Sequence, residues 1–402
     1  MRTLRLPCTA AILLLATVAA ATTIHVPADQ PTIQAGINAA SSGDTVVVAC
    51  GTYYEHDIVV RPGVSVMSEA GEPDCVTIDA LQSGRVFHCQ AAGSTTTLVG
   101  LTITGGYCIG GAGPGGAGLL CITASPTVIR CTFKGNEVDG HGGGVDCRDS
   151  SSGQFIDCLF IDNTSSLKGG GARCYHSSPT FDNCRFQENQ GDCGGGLYCS
   201  VGSPTLLGCV FEENMASSGG DGGGVRIFDR SHPYLDGCVF VGNKAGWGGG
   251  FACNESCSPL LTGCTFAGNT AWVDGSAFDS YHSSSPSVHR CIFAFGASGA
   301  AVYVDGASEP LLICTNIYGN AGGDWTGAIA SQQGVSGNIS LDPLFCDSAN
   351  GDLSLCEDSP CLPGNHPTGS CDLIGAFDAG CGPCGAVAVE SMSWGQIKSL
   401  YR

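Results

Sequence analysis

Residues 179–199 read Pro-Thr-Phe-Asp-Asn-Cys-Arg-Phe-Gln-Glu-Asn-Gln-Gly-Asp-Cys-Gly-Gly-Gly-Leu-Tyr-Cys, and this segment is one unit of a sequence repeat. Its pattern is Pro-x-apolar-x-x-Cys-x-Phe-x-x-Asn, then a short polar loop, then Gly-Gly-Gly-apolar-x-Cys. The unit recurs eight times between Pro126 and Asn320, and its first cysteine repeats at steps of 25 to 29 residues. A fixed period of this size is typical of a solenoid, in which each unit buries its apolar face against its neighbours.

Three columns of residues run through the repeat. The first is Cys131, Cys158, Cys184, Cys209, Cys238, Cys264 and Cys291; the second is Phe133, Phe160, Phe186, Phe211, Phe240, Phe266 and Phe293; the third is Asn136, Asn163, Asn189, Asn214, Asn243, Asn269 and Asn320. Residues two apart on a strand point the same way, so Cys and Phe face one interior. Stacked asparagines can hydrogen-bond from turn to turn. The pattern predicts an all-β fold, a single-stranded parallel β-helix with roughly 26 residues and two or three short strands per turn.

Less regular turns precede the repeat, at Thr45–Val48, Val64–Met67, Val76–Ile78 and Leu98–Ile103. Before them, residues 31–40 have helical spacing at Ile33, Ile37 and Ala40, with Thr32 as N-cap. We predict that this helix caps the open N-terminal end, because an uncovered turn would expose a sheet edge.

The segments Ile24-His-Val-Pro-Ala-Asp-Gln-Pro-Thr-Ile, Gly43-Asp-Thr-Val and Gly51-Thr-Tyr-Tyr-Glu resemble the opening of right-handed β-helix proteins of the pectin-lyase-like superfamily. The Phe-x-x-Asn and Gly-Gly-apolar pair is similar to the repeat of chlamydial polymorphic outer-membrane proteins, which are secreted adhesins. The run from Asp342 to Phe377 resembles the last turn of such β-helices. The resemblance implies a right-handed helix, and glycan adhesion or polysaccharide cleavage as its use.

Composition and the N-terminus indicate export. Arg2 and Arg5 precede an apolar run that ends in Ala19-Ala-Ala21, which predicts a signal peptide over 1–21 with cleavage after Ala21 and a secreted or cell-surface protein. A net charge of −20 disfavours nucleic-acid binding. No later stretch has the apolar length of a transmembrane helix.

The predicted organisation is a β-helix over 22–380, with regular repeats over 121–320 and a disulfide-rich closing turn over 340–380. A linker and short tail follow over 381–402. In the tail, Ser393 and Gln396 could form a capping box, with Trp394, Ile397 and Tyr401 on one stripe. This tail is either an amphipathic segment packed on the last turn or a sorting or anchoring tag.

The chain has 26 cysteines. The repeat cysteines form either an interior ladder of small apolar side chains or disulfides between successive strands, such as Cys147 with Cys158. Ile227 and Ser280 interrupt the second cysteine column, which favours the ladder. Disulfides are predicted near the C-terminus for Cys346, Cys356, Cys361, Cys371, Cys381 and Cys384. A redox role for Cys381-Gly-Pro-Cys384 would need a thioredoxin context, which is absent.

The most promising site is the position between the two inward residues of the strand after the glycines, which should point outward. Up the turns it holds Asp146, Arg173, Tyr198, Arg226, Ala252, Asp279 and Tyr303. Tyrosine stacks on a sugar face and arginine binds carboxylates, so all of these except Ala252 are predicted ligand-binding residues. Asp146, Arg173 and Arg226 are the candidates for catalysis. The alternative is a solvated row in which Asp146 and Arg173 pair across turns.

Acidic residues also precede the glycines, at Asp139, Asp192, Asp221 and Asp274. Carboxylates suit calcium, so calcium is the one cofactor that the sequence suggests, although ordinary polar turns would need the same residues.

The sequence thus favours a non-catalytic adhesive or glycan-binding module, with an extracellular polysaccharide or surface glycan as its partner. The first alternative is a polysaccharide lyase or glycoside hydrolase, although the chain has no Asp-Asp pair and no Arg-x-Lys. The second alternative is a structural spacer. The fold alone does not choose between them.

Overall fold

The structure is a computed structural model that describes residues 20–109 and 115–384. Most of the predicted signal peptide (1–19) and most of the predicted tail (385–402) lie outside the described residues. The described chain forms the predicted parallel β-helix, with four strands in each regular turn where the sequence indicated two or three. The additional strands arise because the polar loops after the asparagines pair with each other from turn to turn.

Each regular turn contributes one strand to each of four sheets, which we name A to D in chain order. Sheet A comprises β1 (Thr23–Val26), β2 (Thr45–Val48), β5 (Ser65–Ser68), β8 (Thr97–Val99), β12 (Thr127–Ile129), β16 (Gln154–Ile156), β20 (Thr180–Asp182), β24 (Thr205–Leu207), β28 (Tyr234–Asp236), β32 (Leu260–Thr262), β36 (Ser287–His289) and β39 (Leu311–Ile313). Sheet B comprises β3 (Gly51–Tyr53), β6 (Val76–Asp79), β9 (Thr102–Thr104), β13 (Thr132–Lys134), β17 (Leu159–Ile161), β21 (Arg185–Gln187), β25 (Val210–Glu212), β29 (Val239–Val241), β33 (Thr265–Ala267), β37 (Ile292–Ala294) and β40 (Asn316–Tyr318).

The other two sheets follow the asparagines and the glycines. Sheet C comprises β10 (Tyr107–Ile109), β14 (Glu137–Asp139), β18 (Thr164–Ser165), β22 (Gln190–Gly191), β26 (Met215–Ala216), β30 (Lys244–Trp247) and β34 (Thr270–Asp274). Sheet D comprises β4 (Ile58–Val60), β7 (Phe87–Gln90), β11 (Leu119–Ile122), β15 (Val145–Arg148), β19 (Ala172–Tyr175), β23 (Leu197–Ser200), β27 (Val225–Phe228), β31 (Phe251–Asn254), β35 (Phe278–Tyr281) and β38 (Val302–Val304).

The interior is built from the predicted columns. From Phe133 to Phe266 the phenylalanine rings stack with centroids 4.2 to 5.1 Å apart. The asparagines from Asn136 to Asn269 are at most 1% exposed, and the predicted bonds between turns are confirmed: Asn189 Nδ2, for example, donates to Asn214 Oδ1 at 2.9 Å. The stacked rings and amides repeat one contact from turn to turn, in step with the strand register of sheet B, which carries the phenylalanines.

The N-terminal segment contains an α-helix, α1 (Ile33–Ala39), where the sequence predicts one. The Thr32 hydroxyl accepts a hydrogen bond from the Ala35 N–H at 3.1 Å, and α1 packs against β1, β2 and β4. That α1 covers the open end of the β-helix stays a prediction. The other helices of the described residues are the 3₁₀ segments Gly327–Gln332 and Ser348–Asn350. No helix within residues 20–109 and 115–384 has the length and apolarity needed to cross a membrane.

The closing segment forms a small separate sheet of β41 (Phe345–Asp347), β42 (Asp352–Cys356) and β43 (Ala379–Cys381). Leu353 of this segment packs on Val239 and Ala267, on the outer side of sheet B. The segment that resembles a last turn therefore lies partly on the outside of earlier turns. Its apolar residues cover the sheet B side chains that alternate with the buried phenylalanines.

Disulfides occur at both ends of the described chain. They join Cys50 to Cys75, Cys314 to Cys371, Cys346 to Cys381, and Cys356 to Cys384. The prediction for Cys361 was wrong: its thiol is free and accepts a hydrogen bond from Asn316 Nδ2 at 3.2 Å. The Cys361 side chain is fully buried, and its partner in this contact is an amide and not a second cysteine.

The repeat cysteines are free thiols that donate hydrogen bonds to backbone carbonyls at the corner between sheets A and B. Cys184 Sγ donates to Phe155 O of the preceding turn at 3.3 Å, and Cys209 Sγ donates to Phe181 O at 3.4 Å. Thr315 continues the column and its hydroxyl makes the corresponding bond to Val288 O at 3.4 Å. The column therefore selects a small hydrogen-bond donor, and not only a small apolar side chain. Burial raises the pKa of Cys158 well above its ordinary value, so this thiol stays protonated and unreactive.

We therefore expect many thiols in the protein. Four disulfides take up eight of the described cysteines and leave 17 free thiols. A thiol-reactive dye added to denatured, unreduced protein should report about that number, and should report almost none while the protein is folded. A count below five would mean that the repeat cysteines are paired between strands.

Candidate functional site

The predicted site residues form a single row on sheet D, which we call the ladder row. Strand register aligns them on consecutive turns: Asp146 opposite Arg173, Arg173 opposite Tyr198, Tyr198 opposite Arg226, Arg226 opposite Ala252, Ala252 opposite Asp279, and Asp279 opposite Tyr303. They alternate with core residues such as Val145 and Cys147, so their side chains point away from the interior, as predicted.

From Asp146 to Asp279 the ladder row is nevertheless buried, and only Tyr303 at its end is partly exposed, which corrects the expectation of a solvated face. Asp146 and Asp279 have no exposed surface, and Arg173 is 5% exposed. The first glycine of each triplet folds back against the row and contributes to its burial. A Cβ atom on Gly142 would lie 2.9 Å from Asp146 Cβ, and one on Gly194 would lie 2.9 Å from Tyr198 Cβ. Both glycines have positive φ, so the corner requires glycine for conformation as well as for space.

Asp146 and Arg173 form a buried bidentate ion pair. Arg173 Nε and Nη2 each lie 2.7 Å from one carboxylate oxygen of Asp146, and the Gly115 N–H donates to the same carboxylate at 3.0 Å. Removing either partner would leave a buried charge unpaired, which costs about 3 to 5 kcal/mol. These two residues therefore form the base of the site. Because their charged groups are paired with each other, neither charge is fully available to a ligand.

Arg226 makes a second buried cluster further along the row. Its Nη1 pairs with the Asp221 carboxylate, and its Nη2 donates to Asn254 Oδ1 at 2.9 Å. The Tyr281 hydroxyl donates to the same Asp221 carboxylate at 3.1 Å. Asp221, one of the calcium candidates, is thus a counter-ion of arginine.

The other calcium candidates are satisfied by ordinary hydrogen bonds. Asp139 accepts from Ser166 Oγ at 2.9 Å, Asp192 from Ser217 Oγ at 2.8 Å, and Asp274 from the Ala300 N–H at 2.7 Å. Among the described residues, the group with metal-ligand spacing is Cys346, Cys356 and Cys381, whose sulfurs belong to disulfides.

Asp279 is the one ladder carboxyl without a partner among the described residues: neither of its oxygens has a hydrogen bond. Burial raises the pKa of Asp279 to about 8, and the nearby guanidinium of Arg226 offsets only part of that rise. At neutral pH the carboxyl is therefore mostly protonated. It is fully enclosed, so it does not touch open space.

Beside the first part of the ladder row lies a hollow of about 350 Å³, which we call the Tyr198 hollow. Its lining includes His141, Lys168, Arg173, Tyr175, Tyr198 and Phe228. Lys168 Nζ lies 3.2 Å from the Tyr198 hydroxyl and 4.9 Å from the centre of that ring. Burial, together with the positive charges of Arg173, Lys168 and Arg148, lowers the pKa of His141 to about 4, so its imidazole is neutral at pH 7.

A second hollow of about 320 Å³, the Trp247 hollow, lies further along sheet D. It is lined by Trp247, Tyr281, His282, Tyr303 and Asp305, and the rings of Trp247 and Tyr303 are 5.1 Å apart. The bond from Tyr281 to Asp221 joins this hollow to the Arg226 cluster. Both hollows lie along sheet D, between the turns of Arg173 and Tyr303, which are five steps of the strand stack or roughly 24 Å apart. We call the strip of sheet D that carries the two hollows the groove.

Sequence reasoning missed most of the side chains that face the open space. Tyr175, Phe228 and Tyr281 stand two residues after Arg173, Arg226 and Asp279, on the same face of sheet D. The two-residue period of a strand could have identified them. Lys168 and Trp247 precede the glycines, and only the fold places them beside the row.

The comparison with family models identifies the class of protein. The model for the right-handed beta helix region matches residues 90–240 and 208–339, which is more than half of the chain. The chain therefore belongs to the right-handed β-helix family.

Solved structures with a similar fold include pectate lyase Pel9A, at 12% identity and a TM-score of 0.49, over 90% of this chain and 97% of that one. Full-length tailspike protein 2 from Escherichia coli O157:H7 bacteriophage CAB120 is 14% identical with a TM-score of 0.46, and 74% of this chain spans 42% of it. The pectin methylesterase from Aspergillus niger is 13% identical with a TM-score of 0.35, over 84% and 95% of the two chains. No curated protein sequence matches significantly.

Proposed function

We propose that this protein is an exported, non-catalytic β-helix that binds an oligosaccharide along the groove of sheet D. The observation that carries the proposal is the pair of aromatic hollows on one face, with the buried ion pairs of the ladder row as a rigid floor. Aromatic rings such as Tyr175 and Trp247 offer apolar faces for sugar rings. The polar groups between them suit sugar hydroxyls, because a ligand site needs a few fixed polar groups among apolar ones.

The proposal includes the surroundings of the groove. Residues 22–380 act as one β-helical domain, α1 covers its open end, and the predicted signal peptide delivers the protein outside the cell, where its disulfides persist. Adhesion like that of the chlamydial proteins with similar repeats would then be one use of the groove. Calcium at Asp139, Asp192 or Asp274 would add to binding and is tested by adding it.

Binding to an array of plant, algal and bacterial glycans, with and without calcium, tests the proposal. We expect selective binding by the wild-type protein and at least a tenfold loss when both Tyr175 and Trp247 are changed to alanine, since stacking on each ring contributes about 1 kcal/mol. Tyr234→Ala, an exposed tyrosine on sheet A, is the matched control and should bind normally. Binding that survives the double change, or no binding to any glycan, would contradict the proposal.

A catalytic alternative has one observation in its favour, the protonated carboxyl of Asp279, since a raised pKa is what a general acid needs. Its enclosure argues against it, because a general acid has to reach the bond that it protonates. Release of reducing ends or unsaturated products from a glycan that the array identifies would favour this alternative. Loss of that release in Asp279→Asn would then assign the role.

A further inference from the structure

The charges around the Tyr198 hollow do not balance. Arg173 is neutralised by Asp146, and the exposed Arg230 at the margin lies 2.9 Å from Asp229. Lys168 has no carboxylate partner among the described residues; its ammonium group lies near the hydroxyl of Tyr198 and the rings of Tyr198 and Phe228. The hollow therefore keeps one unmatched positive charge, in a protein whose net charge is −20.

The position of Lys168 makes this charge available to a ligand. Its Nζ lies near two aromatic rings, at 4.9 Å from the Tyr198 centroid and 5.7 Å from the Phe228 centroid. A cation above aromatic faces is fixed in place and partly dehydrated. An ammonium group has three donors, and the Tyr198 oxygen uses one of them. The remaining donors can bind an acceptor that enters the hollow.

We propose that the Tyr198 hollow recognises an anionic group on the saccharide, a carboxylate or a sulfate ester, and that Lys168 is the residue that selects it. The inference rests on the proposed function and adds its ligand class. A neutral sugar would leave the Lys168 charge uncompensated, whereas an anionic sugar would pair with it while its ring packs on Tyr175 or Phe228. The net charge of −20 repels the same ligand at long range, so the affinity has to come from the local positive charge of Lys168.

The test uses the full mature protein and three hexasaccharide probes: hyaluronan, which carries carboxylates, a heparin fragment, which also carries sulfates, and neutral chitohexaose. Calorimetric titration should show binding of at least one anionic probe and at least tenfold weaker binding of chitohexaose. Raising the salt from about 0.1 M to about 1 M should weaken the anionic complex, because the screening length falls from about 10 Å to about 3 Å.

Two substitutions at one position assign the selectivity. Lys168→Gln should lower the affinity for the anionic probe about tenfold or more, as expected for the loss of one charged hydrogen bond. Lys168→Arg should keep most of the wild-type affinity. Lys244→Gln removes an equal charge at an exposed position of sheet C and serves as the control. Unchanged melting temperatures will show that the variants are folded.

The outcomes separate the two proposals. Equal affinity for chitohexaose and the anionic probes, or full affinity in Lys168→Gln, would overturn the anionic selection and leave glycan binding intact. If none of the three probes binds, a glycan array that shows binding of neutral glycans alone would overturn the anionic selection, binding of acidic glycans would support it, and a negative array would overturn both proposals. Binding of hyaluronan would show that a carboxylate is sufficient, whereas binding of heparin without binding of hyaluronan would show that a sulfate ester is required.

Discussion

Replacing Asn189 by alanine should cost about 3 to 6 kcal/mol of unfolding free energy, because several buried polar groups lose their partners together. Asn189 Oδ1 accepts from the backbone N–H and the Nδ2 of Asn163, and its own Nδ2 donates to Phe160 O and Asn214 Oδ1, all at 2.9 to 3.1 Å. An alanine satisfies none of these groups, and no solvent reaches the site. Chemical denaturation followed by circular dichroism measures the loss.

The matched control for this prediction is the neighbouring exposed residue. Gln190→Ala changes an amide of the same turn whose side chain faces solvent, and should shift stability by less than about 0.5 kcal/mol. Asn189→Asp adds a second comparison: a carboxylate cannot donate to Phe160 O, so this variant should be more damaged at neutral pH than at acidic pH. Equal stability of Asn189→Ala and Gln190→Ala would show that the stacked asparagine side chains do not hold the turns together.

The second large effect concerns Asp279 and pH. Its carboxyl has a pKa of about 8 in the folded protein, against about 3.9 in an unfolded chain. Because the folded state holds the proton more tightly, the stabilising contribution of this group is complete below about pH 4. It is lost as pH rises towards and through 8. The shift corresponds to a loss on the order of 5 kcal/mol across this range.

Asp279→Asn provides the measurement. The amide has nearly the same shape and cannot ionise, so the variant should gain stability relative to wild type as pH rises from about 4 to about 8. The difference between the two proteins cancels the titration of all other groups. Asp139→Asn, which removes an exposed carboxylate, should show no such trend. Parallel pH profiles for Asp279→Asn and wild type would mean that Asp279 is already ionised in the folded protein, paired with Arg226.

The interior of this protein was predictable because its contacts are local to a repeated unit. Phe186 stacks on Phe160 and Phe211, and Asn189 bonds to Asn163 and Asn214. Each contact joins equivalent positions of successive repeats, so the repeat length alone predicts both partners. The ladder row followed from the same alternation on sheet D. The burial of the ladder row could not be predicted in this way. It depends on how far the glycine corner folds back, and therefore on backbone dihedral angles as well as on residue type.

Contacts between distant segments could not be predicted from the period. The Cys314–Cys371 disulfide and the packing of Leu353 on sheet B join parts of the chain that share no repeat. Lys168 lies in the loop between sheets C and D, and it meets Tyr198 of the following turn only because both chain segments border one hollow. The ladder row marks the correct face of the molecule, while the side chains exposed to a ligand come from its neighbours.

Hydroxyl-radical footprinting of the wild-type protein, with and without a saturating anionic hexasaccharide, tests the groove most directly. The groove predicts protection of Tyr175, His176 and Phe228 beside the Tyr198 hollow, with unchanged oxidation of Tyr234 and Leu260, which are exposed on sheet A. Protection on sheet A, or a bound saccharide that leaves the sheet D aromatics as reactive as before, would contradict the account.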